Sequence, residues 1–166
     1  MFRSVDDFLC VWSQETDATL KIFRALTEPS LSQVVRHGGR SLGRLAWHIT
    51  TTIAEMGQQA GLDMSGPSDE TPPPPLPQLV TQYEALARAL GPIVQHHWTD
   101  AMLAERIPMY GESWTRGETL LALIVHQAHH RGQMTVLMRQ AGLKVPGIYG
   151  PSLEEWAGYG MKPPEV

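Results

Sequence analysis

The chain has 166 residues, 42% of them hydrophobic and 18% charged, with a formal charge of -4 and a pI near 5.9. That composition fits one folded domain, residues 1–166, with a single core, and is too apolar for a disordered chain. Lys and Arg are scattered, which gives no electrostatic footprint for nucleic acid, and no segment approaches the ~20 apolar residues of a membrane span.

The N-terminus MFRSVDDF lacks an apolar run of signal-peptide length, and the single cysteine, Cys10, has no internal disulfide partner. Both fit a protein of the reducing cytoplasm. Cys10 lies between Leu9 and Val11 in a helical pattern, where a thiol is expected to be a small core hydrophobe. Ser4 followed by Asp7 marks the start of that helix, and Phe8, Trp12, Thr19, Ile22 and Leu26 recur at helical spacing until Glu28-Pro29 stops it. Ser41 caps a second helix in which Leu42, Leu45, Ile49, Ile53 and Met56 share a face, with Gly61 as its stop.

The next stretch, LDMSGPSDETPPPP, carries five of the thirteen prolines and cannot be helix. At ~3.1 Å per residue it reaches about 40 Å, more than the ~30 Å of a 20-residue helix. So long a link lets the second and third helices run parallel. The expected architecture is therefore all-α, a four-helix bundle with a long Pro-rich crossover between helices 2 and 3. A disordered linker between two helical hairpins is the alternative.

Helix three begins near Leu76-Pro77 and carries Leu79, Tyr83, Leu86, Leu90 and Val94 toward His97, with Pro92 expected to kink its last turns. Residues 98–114 lack a long periodic face and are expected to hold a short extended excursion. Thr115 and Glu118 form a capping box for a fourth helix that runs through Leu120 to Gln140 before Gly142. The tail from Lys144, rich in Gly, Pro and aromatics, is expected to wrap the bundle or contact a partner.

The fourth helix contains HQAHHRGQ, three of seven histidines within five residues. At ~100° per residue, with His126 at zero, His130 falls at about 40° and His129 at about −60°. Leu123, Met134 and Leu137 fall at about 60°, 80° and 20°, so His126 and His130 join the apolar arc and His129 does not. Two inward imidazoles at i, i+4 either find hydrogen-bond partners in the core or place both nitrogens on one cation. Gln127 occupies the place of the glutamate base in H-E-x-x-H, which excludes that protease pattern. A third ligand would come from another helix. His48 borders the buried face of helix two and is the first choice, with His97 as competitor and His37, in the RHGGR loop, behind it. Glu55, two turns from His48, reads as a solvated carboxylate. Arg131 reads as an interhelical hydrogen-bonding residue, Gly132 as a point of close helix approach, and Gln133 as a residue orienting a ligand.

The combination of LAWHI around His48, the G-x-x-W-T-R segment at Gly111–Arg116 and H-x-x-x-H-R-G-Q from His126 to Gln133 resembles the DinB/YfiT-like family, in the family's order across most of the chain. The resemblance implies an up-down-down-up bundle and a three-histidine metal site on His48, His126 and His130. It also implies nickel or zinc, with iron or manganese as further candidates, and a homodimer. Relatives of this type include thiol-dependent S-transferases and a maleylpyruvate isomerase.

Three neutral ligands leave open positions on a divalent cation, which suits activation of water or of a thiol. With no general base legible in the sequence, the leading expectation is an enzyme that activates a low-molecular-weight thiol for transfer to a small-molecule electrophile. A metal-dependent hydrolase and a non-catalytic metal-binding stress protein are the alternatives.

Overall fold

The computed structural model describes residues 2–165. Its four helices are α1 (Val5–Arg24), α2 (Leu42–Gln59), α3 (Leu76–His97) and α4 (Arg116–Gln140). A two-stranded antiparallel hairpin, β1 (Arg106–Met109) and β2 (Glu112–Thr115), precedes α4. Short 3-10 turns lie at Glu28–Ser32, Asp100–Ala104 and Trp156–Tyr159.

The helix starts follow from side chains that supply acceptors to unpaired backbone amides. Ser4 accepts from the Asp7 amide and Ser41 from the Arg44 amide, while Thr115 and Glu118 close a reciprocal box at the start of α4. α3 opens with Pro77 in its first turn, where a missing N–H costs nothing, and continues through Pro92 to His97.

Contacts at the helix ends set the directions. Val5 at the start of α1 donates to Asp100, just beyond the end of α3, and the Arg116 guanidinium at the start of α4 lies over Trp98. Arg116 also reaches the Ala60 carbonyl at the end of α2. At the opposite end, the Leu76 amide of α3 donates to Glu28, which follows α1, and Gln33, which precedes α2, meets Gln140 of α4. The order is up-down-down-up. α1 and α2 each pack on α3 and α4 and sit diagonally. α2 and α3 are parallel neighbours, as the long crossover requires.

That crossover is an ordered strap, so the disordered-linker alternative does not apply. Leu62 and Met64 are buried, and the Arg44 guanidinium donates to the carbonyls of Asp69 and Thr71. A Cβ at Gly66 would stand 2.5 Å from the Ala54 Cβ, so only glycine lets the strap seat against α2.

The core joins Phe8, Phe23, Ile49, Leu79, Leu90 and Met134, among others. Three expectations need correction. Cys10 is exposed on the outer side of α1 and is no core residue. Gly132 faces open space, where an added Cβ would meet nothing within 4 Å, so no helix approaches there. The inward arc of α4 is also wider than its apolar residues suggest: Gln127 is 0% exposed and Arg131 2%. Gln127, at about 100°, is a polar residue inside the arc, and Arg131, at about 140°, extends it beyond Leu120 and Met138 at about 120°, which leaves His126 at its edge and half-buried.

Gln127 and Arg131 bind α4 to α1 and α3. Tyr83 donates to Gln127 Oε1 at 2.9 Å, and the Thr19 hydroxyl lies 3.0 Å from the same oxygen. Arg131 donates to Thr19 Oγ1 at 2.8 Å, to the Glu15 carbonyl at 3.1 Å and to the Glu15 carboxylate. Tyr149, in the tail, donates to that carboxylate at 2.8 Å, which shows the tail wrapping the bundle as expected. Breaking a buried ion pair leaves an uncompensated charge. Glu15→Ala is therefore expected to lower unfolding stability by about 3–5 kcal/mol in urea denaturation. A loss under ~1 kcal/mol would show that the pair is effectively solvated.

Candidate metal centre

His48 lies in the second turn of α2, and His126 and His130 lie one turn apart in the middle of α4. Antiparallel packing of α2 on α4 turns the three rings toward one another. His126 Nε2 stands 3.1 Å from His48 Nε2 and 3.1 Å from His130 Nε2. Among the described residues these three form the cluster able to hold a metal ion, with ligand atoms all within 4.8 Å of one another.

The outer nitrogens determine what the inner ones offer. His48 Nδ1 lies 3.1 Å from the Asp69 carboxylate, an acceptor, so that nitrogen carries the proton and Nε2 presents a lone pair. His130 Nδ1 lies 2.7 Å from Gln133 Oε1. The Gln133 amide nitrogen is 3.0 Å from His129 Nε2, which fixes the amide so that its oxygen faces His130. His130 Nε2 is therefore a second inward lone pair. A neutral His126 has one proton and can satisfy at most one of them. A cation satisfies all three, so the donor set fits a divalent metal.

His126 and His130 are held neutral. Burial is the chief reason His126 titrates at about 4, far below the usual 6.5, and the neighbouring His130, His48, His129 and Arg40 push in the same direction. Burial also lowers His130, against the Gln133 hydrogen bond, which raises it.

A cavity of about 300 Å³ opens beside the cluster, lined by His48, Thr52, Glu55, Tyr110, Trp114 and His126, among others. The residues 98–114 excursion supplies its far wall as the hairpin. Tyr110 at the hairpin tip has φ +50°, and Gly111 follows at +82°. Two left-handed residues make the tight primed turn of a hairpin, and a tyrosine in the first costs of order 1–3 kcal/mol. The Tyr110 hydroxyl donates to Glu55 Oε1 at 3.0 Å, and a hydrogen bond to a charged group, about 1.5–3 kcal/mol, is large enough to offset that strain. Glu55 is exposed to solvent as expected, yet it is also held in place on the cavity wall.

The competing histidines lie elsewhere. His97 is exposed at the end of α3, edge-on to His96, and His37 is exposed in its loop. Gln133 does orient a histidine of the cluster. Arg131 makes the interhelical bonds described above and is closed off from any ligand. Asp69 is not legible in the sequence as a site residue, because only the path of the crossover brings it to His48.

A DinB family model matches residues 1–165. The uncharacterized protein YrdA of Bacillus subtilis (strain 168) is 43% identical over 167 residues, covering 100% of both chains. The crystal structure of a DinB-like protein from Bacillus cereus ATCC 10987 matches with a TM-score of 0.86 and 41% identity, over 90% of this chain and 100% of that one. YfiT from Bacillus subtilis, described as "a probable metal-dependent hydrolase with an unusual four-helix bundle topology", matches with a TM-score of 0.64 and 15% identity, over 84% of this chain and 89% of that one. At that identity the likeness to YfiT concerns the fold.

The depressed His126 pKa has a measurable consequence for metal-free protein. Between about pH 6.5 and 4 the unfolded chain takes up a proton that folded His126 refuses, so stability is lost as pH falls through that window. The urea midpoint is expected to drop from pH 7 to pH 5, and less steeply in His126→Gln. Equal pH slopes for the two proteins would contradict a neutral, buried His126.

Proposed function

The chain belongs to the DinB family, and we propose that it is a divalent-metal-dependent hydrolase of small molecules, with His48, His126 and His130 as the metal ligands. One observation carries the reading: three imidazole nitrogens converge beside a cavity that also contains a carboxylate, Glu55. The fold shared with YfiT, "a probable metal-dependent hydrolase", supports the same chemistry.

Three neutral nitrogen donors suit zinc, nickel or iron, and such an ion supplies a Lewis acid and acidifies a bound water. The protein's own groups do the rest. Asp69 holds the His48 ring through Nδ1, and Gln133 holds the His130 ring, which sets the direction of both inner lone pairs. Tyr110 occupies Glu55 Oε1, leaving Oε2 to accept a proton from an attacking water and return it to the leaving group. Trp114, Met56 and Ala122 give the cavity apolar walls. Neither His97 nor Glu55 closes the open side of the histidines, since both lie outside the cluster. That favours an enzyme over a closed binding protein.

Sequence alone favours thiol transfer because it reveals no base near the histidines. Glu55 on the cavity wall removes that argument and puts hydrolysis first. Thiol activation remains the second reading, because an open ligand face serves a thiolate as well as water. The exposed residues Leu121 and Val125, one turn apart on α4, support a homodimer within the same proposal.

Two measurements test the assignment. Zinc titrated into protein purified without an affinity tag is expected to bind about 10–100-fold more weakly to Asp69→Asn, and His126→Ala is expected to lose the site. Equal zinc affinity in His126→Ala would remove these ligands. In a panel of esters, amides and thiol-electrophile pairs, Glu55→Gln is expected to retain its metal and lose about 10²–10⁴-fold in hydrolysis. Metal-dependent turnover confined to the thiol pairs would replace hydrolysis with the second reading.

A further inference from the structure

The seam between α2 and α4 continues past the histidines in the direction opposite to the hairpin cavity. There it opens into a second hollow of about 410 Å³, lined by Val35, Arg36, Arg40, Leu45, Gln133 and Val136, among others. Leu45 is one turn before His48, and Gln133 is one turn after His130. The histidine cluster therefore sits between two hollows along a single seam. The cavity on one side is reached through Thr52 and Ala122, and the groove on the other through Leu45 and Gln133.

The groove joins aliphatic walls to two arginines. Its walls include Val35, Leu45, Val136 and Leu137, and Val35 and Val136 are 65% and 53% exposed, so it presents apolar surface to solvent. Among the described residues no carboxylate lines it. Arg36 and Arg40 stand four residues apart in the loop between α1 and α2, and neither side chain has an ion-pair or hydrogen-bond partner among the described residues. By contrast, Arg3, Arg24, Arg44, Arg88, Arg116, Arg131 and Arg139 all pair with acids. Two unpaired guanidiniums at the mouth of an apolar groove, in a protein of net charge -4, match a ligand with an anionic head and an apolar body.

We propose that this groove is the substrate-recognition half of the site, and that the substrate is a small organic anion. Its carboxylate or phosphate is held by Arg36 and Arg40, its apolar chain lies along Val35, Leu45 and Val136, and its reacting group reaches the three histidines. Placement of the reacting group rests on the proposed function above; the anion groove itself does not. Gln133 touches both regions, because it lines the groove and accepts from His130. Occupation of the groove is thus in contact with a residue that orients the histidine cluster.

The test uses metal-free protein, so that it succeeds or fails independently of the metal chemistry. Hexanoate, hexyl phosphate and the neutral 1-hexanol are titrated into the full chain after chelation, with binding followed by ligand-observed NMR. At least one anion is expected to bind about tenfold or more tightly than the alcohol, and the tighter of the two identifies the head group. Arg36→Gln with Arg40→Gln should abolish that preference. Both side chains are exposed, so the double variant is expected to fold, and its circular dichroism checks this. Val136→Asp, on the rim, should weaken the anions while leaving zinc binding unchanged. Equal binding of hexanoate, hexyl phosphate and hexanol, no binding of any of them, or an anion preference that survives the double Arg substitution would each overturn the proposal. None of those results would bear on zinc binding by His126 or hydrolysis by the loaded protein.

Discussion

The site depends on the rotational setting of α4, and that setting is fixed by a buried polar contact. α4 carries two polar pairs at i, i+4 spacing, one residue out of phase. Gln127 and Arg131 turn toward α1 and α3, where Glu15, Thr19 and Tyr83 receive them. His126 and His130 turn by about 100° in the other direction, toward α2. A charged guanidinium buried against a carboxylate has one acceptable geometry, because any rotation of the helix would leave it unpaired. An apolar stripe alone tolerates sliding; this pair does not. The histidines inherit the precision of a contact in which they take no part.

The crossover acts on the other side of the same centre. A parallel α2 and α3 require a strap running the length of the bundle, and the strap passes His48 on its way back. Arg44 ties the strap down by donating to the carbonyls of Asp69 and Thr71, and Gly66 allows it to lie flat on α2. The Asp69 carboxylate then reaches His48 Nδ1. One topological requirement thereby produces the hydrogen bond that chooses the His48 tautomer, and with it a lone pair directed inward. The hairpin makes a comparable contribution at the opposite end. Its strained tip carries Tyr110 to Glu55, which closes one wall and holds the carboxylate in the cavity.

These elements arrange a linear site. Along the seam of α2 and α4 lie an aliphatic groove with two free arginines, three imidazoles, and a cavity with a carboxylate and aromatic walls. The basic and acidic ends are on opposite sides of the histidines. The polar network of the core faces away from the site. The groove, the histidines and the cavity therefore occupy loops and helix faces whose positions the buried network sets.

Much of this is legible in local sequence. The caps at Ser4, Ser41 and Thr115 and the helix spans depend on residues within a few positions of one another, as do the Pro-rich strap and the phase that separates His129 from His130, so pattern alone reveals them. Features that depend on two distant segments are not visible there. Asp69 cannot be matched to His48 because 21 residues separate them, and only the strap's path closes the gap. Gln127 interrupts the arc drawn by hydrophobicity and Arg131 falls outside it, whereas their partners on α1 and α3 make burial tolerable for polar groups. Cys10 fails in the opposite sense, since flanking apolar residues do not say which side of α1 lacks a neighbour. Sequence determined which residues could bind a metal, through spacing and residue type. Tertiary structure decided which nitrogen each histidine presents, which carboxylate stands beside them and which arginines remain free, because hydrogen-bond partners and charge pairs are properties of folded space.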